Sequence, residues 1–348
     1  MAPQNSTKQG NFLAGELVEV RSREEILSTL DQNGRLDAMP FMPEMLQYCG
    51  KRFRVFRRAD KTCDNIRDWS IRRVKNAVHL AGVRCDGASH ANCDAGCLLF
   101  WNEGWLRKVE PDFLSASQVT ERASSSKGAA LTNGHRCTEE RLLQSAVRPD
   151  PASPGSTLYV CQATELREFT SPLHWWDFRQ YFRDIRSGNL RRNFGDSKSE
   201  TFLETILGVL EVIRALLIET FNKLQSVRDG AQYPHIEGSL DPISTGNLNL
   251  QPGEFVQVRS KDDILATLDR RNKNRGLLFD SEMLRYCGGT FRVHKRVNQI
   301  VDEKTGRVLT MKSPCIILDG VACVSEYHRL CPRAIYHYWR EAWLQRVE

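Results

Sequence analysis

Two short loops hold the residues best suited to chemistry. The first reads CDGASHANCDAGC and carries Cys85, His90, Cys93 and Cys97. The second reads CVSEYHRLCPRAI and carries Cys323, His328 and Cys331, with Ile335 where the first has Cys97. Thiolate and imidazole are the donors that zinc prefers, and a Cys-x4-His-x2-Cys loop supplies three of them within reach of one ion. A polar stretch such as DGASHAN has no apolar core to join, so two thiols and an imidazole there point to a metal. A tetrahedral site needs one remote ligand, and Cys49 and Cys287 are the candidates both loops share. Each precedes a glycine in an apolar turn, so each is equally readable as a small core residue. Cys63 adds a thiol near the first loop and Cys315 one near the second. All-thiolate sets therefore stay open: Cys63, Cys85, Cys93 and Cys97 in one case, Cys287, Cys315, Cys323 and Cys331 in the other. Such sets would also suit an iron–sulfur cluster, but the spacings do not match the usual ferredoxin runs. The expectation is about two structural zinc sites, which would order loops that lack hydrophobic support.

The loops match because the chain contains one unit twice. GELVEVRSREEILSTLD (Gly15 to Asp31) returns as GEFVQVRSKDDILATLD (Gly253 to Asp269). EMLQYCGKRFRV (Glu44 to Val55) returns as EMLRYCGGTFRV (Glu282 to Val293), and WNEGWLRKVE (Trp101 to Glu110) as WREAWLQRVE (Trp339 to Glu348). Every pair is 238 positions apart. The two copies of about 100 residues align without a gap at roughly one-third identity. Cys49, Cys85, His90 and Cys93 thus fall on Cys287, Cys323, His328 and Cys331.

Each copy has one plan. A short strand follows a Gly-Glu turn. Then comes a helix with Ser22 or Ser260 at its N-cap and acids in its first turn, where the helix dipole favours them. A strand, FRVFRR or FRVHKR, opens a hairpin, and DEKTG (Asp302 to Gly306) is a turn signal in the second copy. A returning strand leads into the Cys/His loop, and WxxxWLxxVE closes the unit, its tryptophans four apart as core residues. Short strands and a compact hairpin in so few residues suggest a small β-barrel. MPEML–YCGKRFRV (Met42 to Val55) resembles the segment of Mind bomb-type SH3-like domains in which a PEM turn precedes a glycine and a strand. The tandem arrangement also resembles uncharacterised bacterial proteins with the same Cys/His unit, a resemblance that implies an architecture and no activity.

The expected organisation is α+β: two homologous SH3-like barrels, residues 13–110 and 247–348, flanking a helical middle segment, residues 156–246. Residues 1–12 read as a disordered start. Residues 111–155, rich in Ser, Ala, Gly and Pro, read as a flexible linker in which Cys137 is incidental. Ser197 to Arg228 reads as one long helix, with Leu203, Ile206, Leu207, Leu210, Ile213, Leu217, Phe221 and Leu224 on one stripe. That stripe is expected to pack on the Trp175–Phe182 segment or to form an oligomer interface. Phe202 to Phe221 is apolar but includes Glu204, Glu211, Arg214 and Glu219, each costly in a bilayer, so no membrane span is expected.

Composition bounds the function. The chain has 348 residues, 41% hydrophobic and 26% charged, a net charge of +6 and 11 cysteines. The N-terminus lacks the basic head and apolar stretch of a signal peptide, so a cytoplasmic, reducing setting is expected and the thiols read as buried or metal-bound. Arg52, Arg54, Arg57, Arg58, Arg72 and Arg73, partly repeated as Arg292, Lys295 and Arg296, read as a solvated hairpin face rather than a nucleic-acid surface. HWWDFRQYFRDIRSGN holds His174, Asp177, Arg179, Asp184 and Arg186, which read as a helix with an aromatic face and a salt-bridged face. The chain has no P-loop, Rossmann fingerprint, GxSxG or HExxH motif. The first functional expectation is a non-catalytic binding or scaffold protein with a protein or polymer partner. The second is a metal- or thiol-dependent redox or accessory enzyme, with Cys63 and Cys97 marking the first copy as reactive.

Overall fold

The computed structural model describes residues 11–109, 137–190, 198–239 and 247–347. The repeat in the sequence becomes a repeat in space. In the first copy Leu17–Val20 turns Val18 and Val20 into the core, and lies antiparallel between Arg52–Arg58 and the closing strand Leu106–Lys108. Arg52–Arg58 continues to Ala77–Leu80, and that strand to Trp101–Asn102, giving a five-stranded antiparallel sheet. The second copy repeats it with Phe255–Val258, Leu344–Arg346, Thr290–Arg296, Cys315–Leu318 and Trp339–Arg340. Even the irregularity is shared. The register shifts between Val55 and Arg57 in one copy and between Val293 and Lys295 in the other, a bulge that bends the longest strand. The first strand pairs with the last, yet the outermost strands do not close on each other, so the sheet is open where a closed barrel was expected.

Local signals hold. Ser22 Oγ accepts from the Glu25 amide while the Glu25 carboxylate accepts from the Ser22 amide, so helix Arg23–Thr29 starts on a capping box. Ser260 caps Lys261–Leu265 in the same place. The four tryptophans of the closing motifs are fully buried: Phe41 meets Trp101 and Trp105 edge-on at 6.3 and 5.0 Å, and Phe279 meets Trp339 and Trp343 at 6.4 and 5.3 Å. These edge-to-face clusters are favoured by the ring quadrupoles beyond their area burial.

The middle segment is more than helical. Residues 110–136 lie outside the described residues, but helix Glu139–Ser145 falls within the stretch read as a linker, and it buries Leu142 and Cys137 in the first core. Phe12, at the end of the expected disordered start, is buried in that core too. Val147–Pro149 and Thr157–Tyr159 form a hairpin, and Thr170–Pro172 adds a third strand to the first copy's Lys61–Asp64 and Ser70–Val74. The long helix is Lys198–Val227. It buries Gly208, Val212 and Ala215, while the apolar stripe of Ile206, Leu207, Leu210, Ile213, Leu217, Phe221 and Leu224 is exposed. Small residues win the inner face because Gly208 sits against Leu190, where a Cβ would come within 3.2 Å of the leucine side chain. Of the six arginines around the first hairpin, three are ion-paired, Arg58 with Asp60 and Glu103, Arg52 with Glu19 and Arg73 with Asp177, and Arg58 and Arg72 are buried rather than solvated.

The two copies clasp each other reciprocally. The hairpin of each lies on the Cys/His loop of the other. The Val301 amide donates to Cys93 Sγ at 3.3 Å, and the Cys63 amide donates to Cys331 Sγ at 3.2 Å. Val301 corresponds to Cys63, and Cys93 to Cys331, so one contact is made twice in opposite senses. That is the signature of a two-fold, isologous interface, here within one chain. Around it, Asp94 accepts from the amides of Asn298 and Gln299, and the Arg84 guanidinium lies 3.9 Å from the Tyr336 ring centre. Buried Arg333 reaches the Cys63 carbonyl and Asn65.

Candidate metal centres

Each Cys/His loop is a tight turn built on strained backbone. Ala91 and Asn92, with φ of 57° and 51°, turn the chain between His90 and Cys93; Arg329 and Leu330, at 53° and 57°, do so between His328 and Cys331. Consecutive left-handed residues without glycine are rare and persist where surroundings hold them. Gly87 is required by close approach, since a Cβ there would fall 2.2 Å from the Cys93 carbonyl oxygen. The loop bases are pinned by hydrogen bonds that the Cys85 amide donates to the Cys97 carbonyl and the Cys323 amide to the Ile335 carbonyl, both 2.8 Å.

This folding brings three donors together in each copy: Glu44, Cys85 and His90 in the first, Glu282, Cys323 and His328 in the second, their ligand atoms all within 4.8 Å of one another. In the first, Cys85 Sγ lies 3.2 Å from Glu44 Oε1 and 3.3 Å from His90 Nε2, and His90 Nδ1 lies 3.5 Å from Glu44 Oε1. In the second, Cys323 Sγ lies 3.6 Å from His328 Nδ1, and Asp280 Oδ2 stands 3.5 Å from His328 Nε2. The glutamates come from the 3-10 helices Pro43–Tyr48 and Ser281–Tyr286, packed by Met45 and Met283 against the cores.

The electrostatics of both centres favour a cation. Burial, and then the Glu44 charge, push the Cys85 thiol far up; burial, and then Glu282, do the same to Cys323. Burial raises the Glu282 carboxyl, and it lowers His90, whose neutral ring is the form that ligates. Glu44 Oε2, Glu282 Oε2 and His90 Nδ1 are buried with no hydrogen-bond partner. Orphaned acceptors beside a thiol and an imidazole are costly unless a positive charge satisfies them, and a bound divalent ion would also deprotonate the thiol. Carboxylate, thiolate and imidazole are all donors that zinc accepts, and the three in each group are one short of the four of a closed structural site. One sulfur per centre does not fit a four-thiolate iron–sulfur cluster.

The remaining sequence candidates stand outside these groups. Cys49 and Cys287 cap the 3-10 helices and pack at the edges of the two cores. Cys93 and Cys331 serve the contact between copies, and Cys63 joins Cys331 there. Cys315 is a buried strand residue beside Val297 and Ile317. Cys97 lines a small void with Cys93 and Cys161, and burial pushes its thiol up to about 12. The third ligand escaped the sequence reading because a glutamate inside MPEML has no metal-motif spacing. One signal was present: both copies keep an acid in an apolar turn that buries it.

The centres differ in access. The first faces a void of about 40 Å³ among Met42, Leu98, Phe100 and Val301, room for one or two waters. The second borders open clefts of about 320 and 290 Å³ along the boundary between copies, both lined by Trp69 and His328. Trp69, held at φ 56°, lies with its ring centre 4.5 Å from that of His328, and Tyr233 and Tyr327 continue the wall of the larger one. A larger cleft of about 760 Å³, lined by Arg58, Arg73, Lys75, Arg183 and Arg186, touches neither centre. No helix among the described residues is long and apolar enough to cross a membrane. In comparisons with known proteins, no family model, no curated protein and no solved structure matches this chain.

Proposed function

We propose that this chain is a non-catalytic binding or scaffold protein built on two zinc-stabilised SH3-like units, with its partner segment seated in the cleft where the copies meet. The observation that carries the reading is the reciprocal clasp: each candidate metal centre orders a loop, and each loop is the surface on which the other copy's hairpin rests. Metal binding would therefore stabilise one body rather than two independent domains. The SH3-like assignment is supported by a meander whose first strand pairs with its last, with a 3-10 turn just before that last strand in both copies. Glu44, Cys85 and His90 would hold one zinc and Glu282, Cys323 and His328 the other. Zinc there supplies a fixed positive charge that gathers three buried donors.

The aromatic wall of Trp69, Tyr233 and Tyr327 suits an extended polypeptide, which aromatic-lined grooves bind with little ordering of the partner. The exposed stripe on Lys198–Val227 provides a second surface, assigned here to self-association. The test pairs metal analysis with binding. Purified protein should contain about two zinc per chain, and peptides selected from a displayed library on the zinc-loaded protein should bind at least tenfold more weakly to Trp69→Ala. Metal-free protein with an unchanged fold would refute the zinc reading. Selected peptides that bind Trp69→Ala equally well would refute the cleft.

A further inference from the structure

The two-fold clasp is broken at one point, and the break is a thiol. Where the second copy places Val301 against Cys93, the first places Cys63 against Cys331. The Cys63 amide donates to Cys331 Sγ at 3.2 Å, and the two side chains belong to one small buried cluster. Both are about 1% exposed and pack with Ile71 and Leu173. Neither belongs to a candidate metal group. Cys63 lines the cleft of about 320 Å³ at the copy boundary, so a small solute has a route to the pair.

We propose that Cys63 and Cys331 form a redox-active pair that closes into a disulfide joining the two copies, with a hydroperoxide as the oxidant. One sulfur of the pair attacks a peroxide oxygen; the O–O bond breaks, and the departing hydroxide takes the proton of that thiol to leave as water, giving a sulfenic acid. The other sulfur then attacks the sulfenic sulfur, and the hydroxyl leaves with the second thiol's proton as a second water. Two thiols lose two electrons and two protons, and one hydrogen peroxide becomes two waters.

The two cysteines share one buried contact, so whichever sulfur is oxidised first has its resolving partner beside it. Neither sulfur is a ligand in the metal reading.

The test uses the full chain and hydrogen peroxide. The native protein should lose two hydrogens in intact mass, and digestion without reductant should yield a linked peptide containing Cys63 and Cys331, reversed by a thiol reductant. Cys63→Val, which copies the residue the second copy already accommodates, should give at least tenfold less of that link. Val301→Cys restores the two-fold symmetry and should add a second link, from position 301 to Cys93. Oxidation of Cys331 to a sulfinic acid with Cys63 left free would overturn the proposal. So would peroxide treatment that leaves both thiols reduced, or a Val301→Cys protein with no second link.

Discussion

The sharpest discrimination available is between glutamate and cysteine as the remote ligand. Glu44→Gln and Glu282→Gln keep the shape of the side chain and remove its charge, while Cys49→Ala and Cys287→Ala remove thiols that lie at the core edge. Structural zinc sites with four ligands bind with about 10–16 kcal/mol, so one ligand is worth on the order of 3 kcal/mol, a loss of about 100- to 1,000-fold in affinity. The donors here are within 4.8 Å of one another, and Glu44 Oε2 and Glu282 Oε2 have no hydrogen-bond partner; in the second centre Asp280 stands 3.5 Å from His328, so Glu44→Gln is the cleaner variant. The assay is zinc per chain after equilibration with a chelator of known affinity, followed by urea unfolding. Each glutamine variant should keep about one zinc and the double variant none. Both cysteine variants should keep two. A site held a thousandfold above its dissociation constant contributes about 4 kcal/mol through mass action, so the unfolding midpoint should fall with each lost zinc. Glutamine variants that hold both ions, together with a cysteine variant that loses one, would refute the geometry.

Two further outcomes follow from buried groups and exposed ones. Burial lowers His79 to about 3 and His337 to about 4, from 6.5. Their unfolded forms take up protons below pH 6.5 while the folded forms stay neutral, so stability present above 6.5 is lost as pH falls toward 4. At pH 5 each should cost about 2 kcal/mol, read as a drop in urea midpoint between pH 7 and 5 that His79→Phe reduces; an unchanged pH slope in that variant would show that His79 is not responsible. On the long helix, Leu210 and Leu217 are 54% and 65% exposed in the middle of the stripe. Sedimentation should show a concentration-dependent dimer that Leu210→Glu with Leu217→Glu converts to monomer, whereas a native protein monomeric across the micromolar range would remove the interface.

How the site was encoded explains what could be read early. Cys85 and His90, like Cys323 and His328, are five residues apart, and a tight loop alone brings such neighbours together. The approach of Glu44, whose carboxylate accepts from the Cys85 thiol, depends on a 3-10 helix that begins about 40 residues earlier and reaches the loop only across the folded core. No spacing within the chain announces that contact. The stripe on the long helix shows the same limit. Periodicity establishes that one face is apolar, yet which face turns inward depends on the tertiary fit, and Gly208 against Leu190, in the turn after helix Arg179–Arg186, decides it.

The sequence by itself determined the duplication, the helix caps, the tryptophan core, the long helix and the near-neighbour part of each candidate metal centre, because all of these rest on local geometry or on repetition at a fixed offset. Only the tertiary structure decided that the sheets stay open, that a glutamate joins the cysteine and histidine of each candidate centre, that the copies clasp through exchanged hairpins and that Cys63 meets Cys331. Those outcomes depend on contacts between residues up to 270 positions apart, where the pairing is chosen by packing of whole surfaces and leaves no mark on any single segment.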